Sequence, residues 1–187
     1  MSRVVYHCFR ATHPDWLDDI VAAVEAVPDN VFFDGRGQPI KKEVRQFDEH
    51  VYSTLSERFR NLGGVKRNVQ LWRPERHFEV DILLATSPET LVEIEKGQLA
   101  RLALDIIKIM SAILYEPEKY ACGCLIVPVN YIELKLARGQ TPYQHLTEHL
   151  LPLATPLLNI SDSMGGYLLR EFCVVGYVDP RGSKDTT

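Results

Sequence analysis

Three observations predict an α/β protein built as a sandwich, with helices flanking a central mixed β-sheet. Apolar residues recur every three or four positions from Ile40 to Leu62, the period of a helix buried along one side. The stretch from Val65 to Glu95 alternates apolar with polar residues, as strands do, and CGCLIVPVN at 122–130 has the unbroken apolar character of a central strand. The 187 residues, 45% hydrophobic and 25% charged, suit one globular domain, taken as residues 1–180 with 181–187 as a polar tail. No apolar run approaches the roughly 18 residues of a membrane span, and MSRVVYHCFR has no apolar leader segment, so a cytoplasmic protein is expected.

The first helix falls within THPDWLDDIVAAVEAV, where Thr12 can cap, Pro14 suits the first turn, and Asp15, Asp18 and Asp19 favour the N-terminal end. It stops before Pro28, and DNVFFDGRGQP reads as a short strand and turn. The second helix carries Ile40, Val44, Phe47, Val51, Leu55, Phe59 and Leu62 on one stripe and ends at Gly63-Gly64. Two strands follow, VKRNVQLW and HFEVDILLA, then a turn at TSPE and the strand LVEIE. In HFEVDILLA, Phe78, Val80, Ile82 and Leu84 are assigned to one face, Glu79 and Asp81 to the other.

From Gln98 to Tyr115, Leu99, Leu102, Ile106, Ile109, Met110 and Ile113 keep helical spacing, with Arg101, Asp105 and Lys108 on the other side. After the strand CGCLIVPVN, PYQHLTEHLLPLATPLL reads as helical with proline interruptions, and YLLREFCVVGYV as the last strand. Cys8, Cys122, Cys124 and Cys173 lie in apolar stretches without zinc-finger spacing and are expected as buried free thiols.

The chemistry concentrates in LVEIE. Val92 and Ile94 point to one face and Glu93 and Glu95 to the other, about 7 Å apart at a rise of roughly 3.3 Å per residue. Like charges so held are unfavourable without a cation nearby. Asp81 lies on the neighbouring strand, so three carboxylates could converge on one edge of the sheet. Hard oxygen ligands of this kind suit Mg2+. The net charge of −4 argues against a nonspecific nucleic-acid coat, but KRNVQLWRPERH sets Lys66, Arg67, Arg73, Arg76 and His77 against a single acid, Glu75.

Asp81, eleven residues, then Glu93-Ile94-Glu95 resembles the active-site motif of the PD-(D/E)XK nuclease superfamily, in which a strand acid precedes an acid-x-lysine on the next strand. Val80 stands where proline is common, and Glu95 where lysine is usual. A non-lysine third position is characteristic of the BamHI and BglII group of type II restriction endonucleases, and EIEKGQLARLALDIIKI resembles that group's strand-to-helix segment. The resemblance runs over about residues 40–130. It implies a restriction-endonuclease-like sandwich, Mg2+-dependent hydrolysis of double-stranded DNA, and a homodimer.

By that resemblance Asp81 and Glu93 bind the metal and Glu95 takes the lysine position. Related enzymes often add an acid from the preceding helix. At about 100° per residue Asp48 falls within the apolar stripe beside Val44, Val51 and Leu55, whereas Glu49 and Glu57 fall off it. Lys66, Arg67, Arg73 and Arg76 are the expected phosphate contacts. Lys96 is out of phase with the missing lysine and points to the other side if the strand continues, or turns back where Gly97 ends the strand.

Three other readings compete. HLTEH at 145–149 matches the inverted zinc-peptidase pattern H-x-x-E-H, which still needs a third ligand. A DNA-binding or assembly protein could keep the nuclease fold without cleavage, and a metal-dependent hydrolase could act on something other than DNA.

Overall fold

The computed structural model describes residues 3–10, 13–40, 44–61, 63–71, 78–96, 99–130 and 140–181. Six strands form one mixed sheet: β1 (Val4–Phe9), β2 (Val65–Gln70), β3 (Glu79–Leu84), β4 (Glu89–Ile94), β5 (Tyr120–Pro128) and β6 (Glu171–Tyr177). Their spatial order is β1-β6-β5-β4-β3-β2. The neighbours β4, β5 and β6 run parallel, while β1 on β6, β3 on β4 and β2 on β3 are antiparallel.

Helices cover both faces. On one lie α1 (Asp15–Glu25), a 3-10 turn (Asp29–Phe32) and α2 (Arg45–Arg58), where Leu17, Ile20, Val51 and Leu55 share a core with Ile82, Val92, Ile126 and Val175. On the other lie α3 (Leu99–Tyr115), α4 (Pro142–His145), a π-helical turn (Leu146–Leu150) and α5 (Leu151–Leu158). There Leu102, Ile106, Ile109, Leu146 and Leu158 share a core with Leu83, Leu91, Leu125 and Val174. Parallel strands need long crossovers. The chain supplies α3 between β4 and β5, and the α4 to α5 run between β5 and β6. Because β5 is covered on both faces, all its positions are buried, which explains its unbroken apolar run.

Two glycines set how closely the second layer approaches the sheet. A Cβ on Gly123 would lie 2.7 Å from Ile109 Cγ2, and one on Gly176 would lie 2.5 Å from both Tyr143 Cδ2 and Val129 Cγ1. Gly176→Ala is therefore expected to destabilise the protein by about 1–3 kcal/mol, as overpacking does. Gly35→Ala meets nothing within 4 Å and serves as the control. Equal melting temperatures for the two variants would refute the close approach.

Several expectations need correction. The first strand, Val4–Phe9, was not foreseen, and residues 29–32 form a 3-10 turn, with strand-like pairing limited to the bridge between Phe33 and Pro39. The second helix begins at Arg45, so Ile40 precedes it, its N–H bonding Phe32 O. The helix also ends earlier than expected, at Arg58, and Gly63 and Gly64 instead close the turn that follows, with φ of 109° and 89° and the Gly64 N–H bonding Phe59 O. Cys8 and Cys173 are not free thiols but a disulfide, facing each other across β1 and β6, whereas Cys122 and Cys124 are free and buried. Arg181 is not part of a loose tail. It is buried, and its guanidinium grips the Asp179 carboxylate and Ile40 O. Residues 182–187 lie outside the described residues. No helix among the described residues is long and apolar enough to cross a membrane.

Candidate functional site

The sheet comes apart at Asp81. In the β2–β3 ladder the pairs Arg67 with Ile82 and Val69 with Val80 are formed, and the position between them, Asn68 opposite Asp81, is skipped. Asn68 there has φ of 50°, a left-handed conformation that asparagine tolerates better than most residues. In the β3–β4 ladder, pairing ends at Ile82 with Val92, one step before Asp81 would face Glu93. The Asp81 carboxylate fills the gap, its Oδ2 accepting from Ile94 N–H at 2.8 Å. Val80 belongs to the α3-side core while Ile82 and Leu84 belong to the other, so the expected common face of Val80, Ile82 and Leu84 is broken at the same place.

A cavity of about 700 Å3 occupies this splayed region. All four acids singled out from the sequence, Asp48, Asp81, Glu93 and Glu95, line it, together with Glu49 and Asp105. Arg45, Arg67, Lys96, Arg101 and Lys108 line it too. Lys66 alternates to the exposed side of β2, away from the inward-facing Arg67. Arg73 and Arg76 lie outside the described residues.

The acids are tightly provisioned. Lys96, which continues past the end of β4, turns to α2 and donates to Asp48 Oδ2 at 2.5 Å. Lys108 on α3 donates to Glu93 Oε1 at 2.7 Å and lies 3.4 Å from Asp105. Arg67 pairs with Glu49 at 2.6 Å. Burial pushes the Asp48 carboxyl up to about 6 against the pull of Lys96, with Asp81 adding to the rise. Burial and then the Asp81 charge push Glu93 up to about 9 in spite of Lys108. For Lys108, burial works downward, but the Glu93 carboxylate outweighs it and the ammonium is raised. At neutral pH Glu93 therefore holds its proton beside the Lys108 ammonium.

Sequence reasoning missed Lys108 as a site residue. The available signal was its place beside Asp105 and Arg101 on an otherwise apolar helix, a polar strip at spacings of three and four. Assigning that strip to the outer side concealed it: Asp105 is buried, and the Lys108 side chain is only 12% exposed.

Among the described residues no three His, Cys, Asp or Glu side chains form a ready-made metal cluster. Mg2+ does not require one, since it is usually held by one or two carboxylates with waters and substrate oxygens completing the shell. The donors fit that demand. Asp81 and Glu93 each spend one oxygen on a protein donor, and Asp48 Oδ1 is buried without a hydrogen-bond partner among the described residues. Asp48, Asp81, Arg67 and Asn68 also line a small cavity of about 30 Å3, room for one water-sized occupant.

The upward shift of Glu93 has a measurable consequence. Its folded value lies above the ordinary 4.5, so the folded protein holds a proton that the unfolded chain releases between pH 4.5 and about 9. Stability contributed by the protonated form is complete below that window and lost as pH rises through it. With chelator present, the melting temperature of Glu93→Gln relative to the parent should rise from pH 5 to pH 9. A constant difference across that range would show that Glu93 ionises normally.

Of the HLTEH histidines, His145 ends α4 and His149 lies within the π-helical turn, with ring centroids 5.7 Å apart. Gln140 Nε2 donates to His149 Nε2 at 2.6 Å, Glu148 is exposed, and no third ligand joins them among the described residues. No protein-family model matches the chain, and no curated protein matches it.

Proposed function

We propose that this protein is a Mg2+-dependent endonuclease of double-stranded DNA with a restriction-endonuclease-like fold, working as a homodimer at a palindromic site. The observation that carries this reading is the splay at Asp81, which gathers carboxylates from β3, β4 and α2 into one cavity with a lysine from α3. Asp81 and Glu93 would hold the ion. When bound, Mg2+ lowers the pKa of a water and offsets charge on the phosphodiester. Glu95, buried at the end of β4, can accept a proton from that water, a task for which a carboxylate suits better than an ordinary lysine. Lys108 holds Glu93 in place and supplies the fixed positive charge that the strand position lacks. Two-fold symmetry would present the same surface to each half-site.

A second reading is favoured by a different observation. Asp48 and Glu93 already have lysine partners, so the acids can be satisfied without a metal, as in a noncleaving DNA-binding or assembly protein. Incubating the purified protein with supercoiled plasmid, with Mg2+ and with chelator, separates the two. Mg2+-dependent linearisation or nicking supports the nuclease. Retention of intact plasmid on gel shift under both conditions supports the noncleaving protein.

Arg67 is the best-placed phosphate contact, at the cavity and held by Glu49. Arg67→Ala should reduce the slope of log affinity for DNA against log salt by about 0.9, one phosphate's worth. An unchanged slope would leave Arg67 a brace for Glu49 alone.

A further inference from the structure

A second cavity, about 750 Å3, opens at the opposite end of the sheet, where β3 ends and β4, β5 and β6 begin. That volume falls within the range of small-molecule pockets. Trp16 of α1 and Phe59, just past α2, give it aromatic walls, and Cys122 at the start of β5 lines it as well.

Its charge is unbalanced. Glu89 and Glu171 line it with Asp15 and Asp19, and Arg170 is the single cation among the described lining residues. Arg58 engages Asp19 at 2.7 Å, which leaves the other three carboxylates against Arg170. Glu171 is held in place: its Oε2 accepts from Trp16 Nε1–H at 2.7 Å and from the Cys122 thiol at 3.5 Å, which leaves Oε1 uncommitted among the described residues. Glu89 Oε2 is shut off from solvent and has no hydrogen-bond partner among the described residues. A buried acceptor without a donor is expensive, and a carboxylate gains most from a charged donor.

We propose that this cleft binds a small organic cation, an ammonium or guanidinium group on an apolar or aromatic stem, with its head at Glu89 and Glu171 and its stem along Trp16 and Phe59. The aromatic walls add cation–π attraction and apolar contact. Burial and then the Glu171 charge push the Cys122 thiol up to about 12, so it stays protonated and the cleft binds without forming a thiol adduct. The head could belong to a free amine or to a basic side chain of a peptide, and the chemistry of recognition is the same.

Trp16 provides a local readout, since the chain has only two tryptophans and Trp72→Phe leaves it alone. In that background, phenethylamine is expected to change Trp16 emission saturably. Phenethyl alcohol, the neutral counterpart, should bind at least tenfold more weakly. Glu89→Gln should weaken the amine at least tenfold without changing the alcohol, while Asp81→Asn, in the other cavity, should leave the amine unaffected. Agmatine and a blocked arginine dipeptide then distinguish the sources: tighter binding of agmatine assigns a free amine, tighter binding of the dipeptide a polypeptide side chain. Equal affinity for amine and alcohol, no saturation at millimolar amine, or loss of the signal in Asp81→Asn would each overturn the proposal.

Discussion

Asp81→Asn is expected to lower Mg2+-dependent plasmid cleavage by about a thousandfold or more while the protein remains folded and still binds DNA without metal. The magnitude follows from the several kcal/mol that a metal ion contributes to the transition state, at about 1.4 kcal/mol per factor of ten. Folding should survive because asparagine keeps an oxygen that can accept from Ile94 N–H, the bond by which Asp81 braces the end of β4. The substitution also removes a charge that pushes Asp48 and Glu93 upward, so the variant should melt no lower than the parent in chelator. Glu93→Gln should show the same loss of cleavage. Parental rates in either variant across a Mg2+ titration would remove these acids from the chemistry and leave the noncleaving protein as the better account.

Lys108→Met is expected to be the most destabilising change at the site, up to about 3 kcal/mol in chelator at pH 10, where Glu93 is ionised in the parent, the scale for breaking a buried ion pair from one side. Methionine matches the stem of lysine, so packing on α3 is largely retained and the loss isolates the charge. At pH 5 the loss should be smaller, because Glu93 is then protonated and no bare carboxylate is left behind. Lys108→Met with Glu93→Gln should recover most of the stability, since removing both partners leaves no buried charge unpaired. Urea melts of the four proteins at both pH values check the cycle. A loss under about 0.5 kcal/mol at pH 10, typical of exposed pairs, would mean that water reaches the pair and that Lys108 does not hold Glu93.

The parts of the fold legible from sequence are those in which a single environment governs a whole element. β5 is buried at every position and α3 keeps one face in the core from Leu102 to Ile113, so period and composition agree. β1 was illegible for the opposite reason: Val5 and Tyr6 are about half exposed at the sheet's edge, and VVYHCF shows no clean alternation. At the site, the acids of β3 and β4 could be picked out because alternation places Glu93 opposite Val92. The splay at Asp81 could not, because it depends on the left-handed turn of Asn68 in a neighbouring strand. Lys108 was misplaced and the direction of Lys96 left open for a related reason. Whether a lysine faces solvent or a buried carboxylate depends on a partner 15 residues away for Lys108 and 48 for Lys96.

The pairing of β1 with β6 also bears on how the chain is made. Residues 4–9 leave the ribosome long before residues 171–177, their partner strand among the described residues, which come more than 160 residues later. At about 5–20 residues per second, the nascent chain carries an unmatched strand for roughly 10–30 s. During that time the backbone of β1 and its apolar Val4 and Val5 are open to other strands, including those of neighbouring nascent copies. Slowing translation lengthens this interval and speeding it shortens it. Yield in a heterologous host should therefore depend on elongation rate and on chaperones that shield a strand emerging long before its partner, even though the finished protein gives β1 a full antiparallel partner.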